Sequence, residues 1–139
     1  MTEHTSQEKS VLIVGAGIVG ACFAYECSLA GLRTTVVSEH PVDSGAMATT
    51  NTWGWINASR GNGKGYFDFR HNSMHIWKSY CTKFADIKIS GLGGYVWDQS
   101  TTALRAYAEQ HKSWGYPTEY IEGNALSARL PFLKDIPTA

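Results

Sequence analysis

Val11-Leu12-Ile13-Val14-Gly15-Ala16-Gly17-Ile18-Val19-Gly20 is the stretch on which the reading of this chain turns. Val11 to Val14 are all apolar and mostly β-branched, which predicts a strand buried on both faces, as in a parallel sheet. Gly15 lets the chain turn tightly off the strand end. Gly17 carries no side chain, so backbone there can approach a pyrophosphate. Gly20 allows the following helix to pack on the strand. Ala16, Ile18 and Val19 fill the positions between, so the whole run Gly15 to Gly20 is a candidate dinucleotide contact. A helix starting here points its free N–H groups and positive dipole end at the phosphates, worth roughly 0.3–1 kcal/mol for a nearby anion and up to ~2 when partly buried.

The context fits the motif. The helix is expected from Ile18 to Ala30, with Gly31 as the residue that closes it. A second strand is expected at Arg33-Thr34-Thr35-Val36-Val37-Ser38. Glu39 stands at its end, about twenty residues past the glycines, where a carboxylate accepts hydrogen bonds from ribose hydroxyls. Such charge-assisted bonds contribute on the order of 1.5–3 kcal/mol. The same carboxylate would repel a 2′-phosphate, which argues against NADP. The alternative is a strand–turn–helix that binds nothing, with Glu39 a solvated strand-end charge.

Composition narrows the class. The chain has 139 residues, 43% of them hydrophobic and 17% charged, with 12 acids balancing 12 bases. That is a globular composition, and no net field points to nucleic acid or a membrane surface. A mild basic excess at Arg60, Lys64, Arg70, Lys78, Lys83 and Lys88 could face an anionic cofactor or substrate, but reads first as a solvated helix face. The cysteines number 3, an odd count, and Cys22 and Cys27 fall on different faces of one expected helix. They are expected to be reduced and packing, as is Cys81, in a cytoplasmic protein. Met1 to Ser10 form a polar tail of mixed charge, unlike a signal peptide, and one domain is expected from Val11 to Ala139. The apolar run Val11 to Ala24 is too short and too glycine-rich to span a membrane.

Further along, His40 to Ala46 reads as loop. Met47 to Ala58 is rich in small residues, hydroxyls and amides, with Trp53 and Trp55 among them. It can offer N–H groups to phosphates and flat faces to a ring system, or be a connection whose tryptophans enter the core. Ser59 to Gly65 reads as a mobile glycine loop. A helix is expected from about Phe67 to Phe84, with Arg70, Met74, Trp77, Cys81 and Phe84 on one face. His71 and His75 lie four apart on its flank without an acidic third ligand, so a solvated or hydrogen-bonded flank is expected rather than a metal site. Ile87 to Ile89 and Tyr95 to Trp97, bracketing Gly91 to Gly94, are expected as a strand or a hairpin with a glycine bend, and Glu119 to Ile121 as a short strand. A helix capped by Ser100 or Thr101 should run to about Trp114, and a last turn, capped by Asn124, from Ala125 to Leu130. One strand–helix–strand unit gives only two parallel strands, so the sequence is expected to be the front of a longer protein, or an incomplete one.

These motifs resemble a known family. The opening VLIVGAGIVGACFAYECSLAGLRTTVVSEH is similar to the FAD-binding start of the D-amino acid oxidase-like flavoenzymes, a group that includes glycine oxidase, sarcosine oxidase and D-amino acid dehydrogenase. SGAMATTNTWGWINA resembles the family segment over the flavin's ribityl chain and ring. YFDFRHNSMHIWKSYCTKF resembles the helix after it. GGYVWDQSTTALRAYAEQHKSWGYPTEYIEGNALSARLPFL is similar to the strand, helix and Pro-x-Leu turn that lead towards the substrate domain.

The resemblance implies a Rossmann-like α/β FAD-binding domain, here incomplete, and the beginning of an α+β substrate domain. It implies transfer of a hydride from an amine-bearing carbon of an amino acid or secondary amine to flavin N5, with hydrolysis of the imine afterwards. Carried over by position, Gly15, Gly17 and Gly20 hold the pyrophosphate, Glu39 holds the adenosine ribose, and Thr49, Thr50 and Asn57 approach the phosphates and flavin. Some members attach the flavin through a histidine in a Trp-His pair. Here Gly54 follows Trp53, so non-covalent FAD is expected. The family's chains are over twice this length, and no catalytic residue carries over. Little or no turnover is expected of these 139 residues alone. An NAD-dependent Rossmann-type enzyme is the runner-up, because Glu39 suits NAD equally; a truncated, inactive nucleotide binder is the third reading.

Overall fold

A computed structural model describes residues 9–42, 44–59, 63–97 and 100–134. All but Lys9 and Ser10 of the expected polar tail lies outside them, as do Arg60, Gly61 and Asn62 of the expected glycine loop. The chain divides into two compact units, the first ending at Trp55 and the second beginning at Ile56.

The first unit is a βαβ unit. Strand β1 (Ser10–Val14) and strand β2 (Arg33–Val37) pair in parallel, Val11 opposite Thr34 and Val14 opposite Val37. Helix α1 (Ile18–Leu29) crosses between them and packs on both. Its C-terminus closes as a Schellman motif: Gly31, at φ 71°, donates to the Ser28 carbonyl and Leu32 donates to that of Cys27, both at 3.0 Å. This satisfies carbonyls that a helix end otherwise leaves open. Burial of β1 alternates instead of being two-sided. Val11 and Ile13 are half-buried, whereas Leu12 and Val14 are exposed, Val14 by 83%. A single helix can cover only one face of a two-stranded sheet. Burial also raises the Cys22 thiol above its ordinary pKa, with Glu26 adding to the effect, which disfavours the reactive thiolate.

Gly20 is held to glycine by packing. A Cβ there would land on the Gly15 carbonyl oxygen and press on the Ile13 side chain. Gly20→Ala is therefore expected to cost about 1–3 kcal/mol through overpacking. Urea unfolding should show the lowered midpoint, and an unchanged midpoint would contradict this packing.

The second unit is helical: α2 (Lys64–Lys83), α3 (Thr101–Ser113) and α4 (Asn124–Arg129). α2 starts earlier than expected. Gly63 is its N-cap, Gly65 lies in its first turn, and a Lys64–Asp68 ion pair at 2.7 Å spans one turn. The core is Ala58, Phe67, Tyr80, Leu104, His111, Leu126 and Leu130. On α2 the deepest side chains are Phe67 and Tyr80, not the expected stripe, of which Arg70, Met74, Trp77 and Cys81 are half-buried and Phe84 is exposed. His71 sits half-buried, 5.3 Å from Phe67 and 5.7 Å from Tyr116, ring to ring. His111 is 3% exposed. Its Nδ1–H donates to the Tyr107 carbonyl at 3.0 Å, which a carbonyl partner requires.

Ser100 caps α3 as expected, accepting from the Ala103 N–H at 3.4 Å. α4 is capped by Gly123, at φ 57°, with Asn124 as its first residue. Among the described residues none of the expected later strands forms, since a strand exists only with a ladder partner. Glu119 to Glu122 is held by side chains instead. Arg129 donates to Glu119 at 2.8 Å, and Arg105 donates to Glu122 at 2.7 Å while lying 4.2 Å over the Tyr120 ring. Hydrogen bonds from Arg129 hold Glu119 below the usual carboxylate range, and those from Tyr120 and Arg105 do the same for Glu122.

Candidate functional site

The carboxyl ends of two parallel strands fall on one edge of their sheet, which is where open α/β folds bind ligands. Here that edge carries the glycine turn. Gly15 follows β1 directly, and its N–H donates to the Val37 carbonyl at the end of β2, 2.7 Å away. That bond pins the turn beside the start of the segment bearing Glu39, two residues further on and exposed. Gly15 has φ 106°, a conformation that side chains strain.

α1 begins against this edge. Gly17 is its N-cap in extended conformation, with no side chain capping it and no acidic residue in the first turn. The first intrahelical bond is Ala21 N–H to the Gly17 carbonyl, 2.9 Å. The N–H groups of Ile18, Val19 and Gly20 therefore precede the helical ladder, aimed along the helix axis toward whatever lies beyond the turn.

Gly17 differs from its neighbours. Its φ of −69° suits any residue. The nearest atom to a Cβ there is the Met47 Sδ at 3.8 Å, an ordinary contact. Protein packing gives no reason for glycine at this position; close approach of a ligand to the backbone does. The residues present thus fit a diphosphate: a bare backbone at Gly17, an uncapped helix start, and a carboxylate at the neighbouring strand end.

The loop after Glu39 brings a compact knot to the turn. Ala48–Asn51 forms one turn of 3-10 helix, in a stretch expected to be irregular. The Thr50 hydroxyl lies 2.8 Å from the Gly45 carbonyl and 2.7 Å from that of Met47. The Asn51 amide donates to the same two carbonyls at 2.8 and 2.9 Å. Thr49 offers its carbonyl to the Thr52 hydroxyl at 3.4 Å. Thr50 is thus engaged inside the loop. Trp53, 83% exposed, and Trp55 pair at 5.7 Å between centroids, tilted by 40°, outside any core of this unit.

Asn57 lies in the second unit. Its Oδ1 accepts from Arg70 at 2.7 Å and from Ser59 at 3.0 Å. Arg70 also donates to the Ser59 carbonyl at 2.9 Å, and Ala58 N–H donates to the Tyr116 hydroxyl at 3.4 Å. The sequence singled out neither Met47 nor Asn51 as a site residue, and Arg70 only as one of the bases that could face an anion. An asparagine in a glycine-bounded turn was the available signal for Asn51, because such side chains bond nearby backbone. Among the described residues no group of three or more His, Cys, Asp or Glu could hold a metal, and no helix is long and apolar enough to cross a membrane.

Strand, glycine turn, uncapped helix and strand-end acid define a dinucleotide-binding βαβ protein. The family model for FAD dependent oxidoreductases matches residues 10–139, and the chain belongs to that family. Its cofactor is FAD, which settles the choice between FAD and NAD that Glu39 leaves open. The chain is similar to one of the subunits of the anaerobic glycerol-3-phosphate dehydrogenase of Escherichia coli K12, and equally to its counterparts in Escherichia coli O157:H7 and Shigella flexneri. Each is 41% identical over 46 residues, covering 33% of this chain and 8% of the relative. The chain therefore spans a small part of the length of these relatives. No solved structure matches it.

Proposed function

We propose that this chain is the FAD-binding part of an oxidoreductase that takes a hydride from the amine-bearing carbon of an amino acid or secondary amine, oxidising its C–N bond to an imine. Gly17 carries the cofactor half of this reading: it is glycine where no protein atom crowds the place of a side chain. The first-turn N–H groups of α1 bind the pyrophosphate, and Glu39 accepts hydrogen bonds from the adenosine ribose. Bound FAD supplies the hydride acceptor, so the protein's task is to hold and orient it. The likeness of the segments after Glu39 to amine-oxidising members supports the amine half. The similarity to glycerol-3-phosphate dehydrogenase supports a second reading, oxidation of a C–O bond in a polyol phosphate.

Calorimetric titration of the chain with FAD and with NAD tests the cofactor, and FAD is expected to bind the more tightly. No heat with FAD, or tighter NAD, would refute the reading. Since little turnover is expected of the 139 residues alone, the substrate class is decided on the FAD-loaded product of the whole reading frame that carries them, by adding amino acids, N-methyl amino acids or glycerol 3-phosphate without oxygen and watching for bleaching of the flavin. Bleaching by the amines supports the first reading, and bleaching by the phosphate alone replaces it with the second.

A further inference from the structure

The loop knot at Gly45 to Asn51 has a task that its own bonds define. Asn51 has two amide hydrogens, and the Gly45 and Met47 carbonyls take one each, at 2.8 and 2.9 Å. Thr50 has a single hydroxyl hydrogen for the same pair, at 2.8 and 2.7 Å, and its oxygen lies 3.3 Å from the Asn51 amide. The Thr50 N–H donates to the Met47 carbonyl as well, at 3.1 Å. Two side chains thus clamp the backbone on either side of Ala46. Gly45 reaches this turn only at φ 73°, in the left-handed region.

What the clamp orients is Met47. Its backbone carbonyl is the common acceptor, and its side chain is the half-buried one among the described residues from 41 to 52. The Met47 sulfur is the nearest atom to the open side of Gly17, 3.8 Å from where a Cβ would be. A thioether is flexible and polarisable, so without such a clamp it would sample many positions. Held there, it is an apolar wall beside the backbone that meets the diphosphate, and it limits water at those N–H groups. Water exclusion strengthens the hydrogen bonds they make.

We infer that Asn51, with Thr50, is a positioning residue of the cofactor cradle: it locks the 45–51 turn so that Met47 walls the Gly17 side of the diphosphate site. This rests on the FAD reading above. It also gives Thr50 a role different from direct contact with the flavin.

The test compares the parent chain with Asn51→Ala, Asn51→Asp, Thr50→Val and Thr50→Ser. Asp keeps the size of Asn51 but donates no hydrogen bond, and Ser keeps the hydroxyl that Val removes. FAD and ADP affinities are measured together with amide hydrogen exchange at residues 45–51 and 15–18. Asn51→Ala and Asn51→Asp are expected to weaken both nucleotides about tenfold and to speed exchange in both segments. Thr50→Val should have a smaller effect in the same direction, and Thr50→Ser should behave as the parent. Parental affinity in both Asn51 variants overturns the inference, and so does unchanged exchange. Loss of FAD affinity with parental ADP affinity also overturns it, since the wall belongs to the diphosphate. A parent chain that binds neither nucleotide refutes the FAD reading and the inference with it, whereas variants equal to a binding parent refute the inference alone.

Discussion

Gly17→Ala is expected to fold as the parent chain does and to lose FAD affinity by roughly 10- to 100-fold. The affinity loss follows from the distance a phosphate must come to the backbone. A Cβ at Gly17 projects into that gap and lengthens or breaks one or two charge-assisted hydrogen bonds, each worth about 1.5–3 kcal/mol, with 1.4 kcal/mol per tenfold in affinity. Folding is spared because φ is −69° and the nearest atom to the new methyl is 3.8 Å away. Alanine is a poorer N-cap than glycine, which limits the stability loss to about 1 kcal/mol. Titration by quenching of flavin fluorescence, paired with thermal unfolding, reads both quantities. Parental FAD affinity in this variant would sink the assignment of Gly17 to the cofactor. The contrast with Gly20→Ala is informative, because the added methyl is the same. At Gly20 it strikes the Gly15 carbonyl and the cost is expected in stability; at Gly17 it meets only the Met47 sulfur, at an ordinary 3.8 Å, and the cost is expected in cofactor affinity.

The same contrast separates what the sequence disclosed from what it did not. β1, α1 and β2 were legible because their signals are local: a short apolar run, glycines at fixed spacing, and Gly31 where a Schellman turn needs a left-handed residue. The glycine turn and Glu39 were legible for the same reason, since strand pairing in register brings them to one edge. Met47 was not, because its place depends on a contact with Gly17 across thirty positions and on a clamp whose donors follow it in sequence. Two-sided burial of β1 was inferred from its apolar run, yet composition does not say which face a helix will cover. The strands expected at Ile87 to Ile89, Tyr95 to Trp97 and Glu119 to Ile121 have suitable residues, and β propensity is a statement about neighbours as much as about the strand itself. In place of a ladder, the last of these is anchored by Arg105 and Arg129.

In the second unit, Phe67→Ala is expected to cost about 3–5 kcal/mol, the range for a buried phenylalanine truncated in a core that cannot collapse. Phe67 is 2% exposed. Its ring meets His111 and Tyr116 edge-on at 5.7 and 5.8 Å, and Trp114 and His71 at 5.1 and 5.3 Å. These partners come from α2, from α3 and from the turn after α3, so no single neighbour can move into the void without leaving another contact. Tyr116 also accepts the Ala58 N–H at 3.4 Å, which ties the segment carrying Asn57 to the same cluster. A domain's stability is roughly 5–15 kcal/mol in total, so the loss removes a large share of it. The measurement is urea unfolding followed by near-ultraviolet circular dichroism, which reports the packed aromatic rings. Phe67→Leu should recover part of the loss, because it keeps apolar volume while giving up the edge-on ring contacts. An alanine variant within about 1 kcal/mol of the parent would place the unit's stability elsewhere, since typical surface substitutions cost no more than about 0.5 kcal/mol. The α2 pattern alone could not reveal this, because Phe67 stands one turn before the expected stripe and becomes central only when α3 delivers His111 and Trp114 to it.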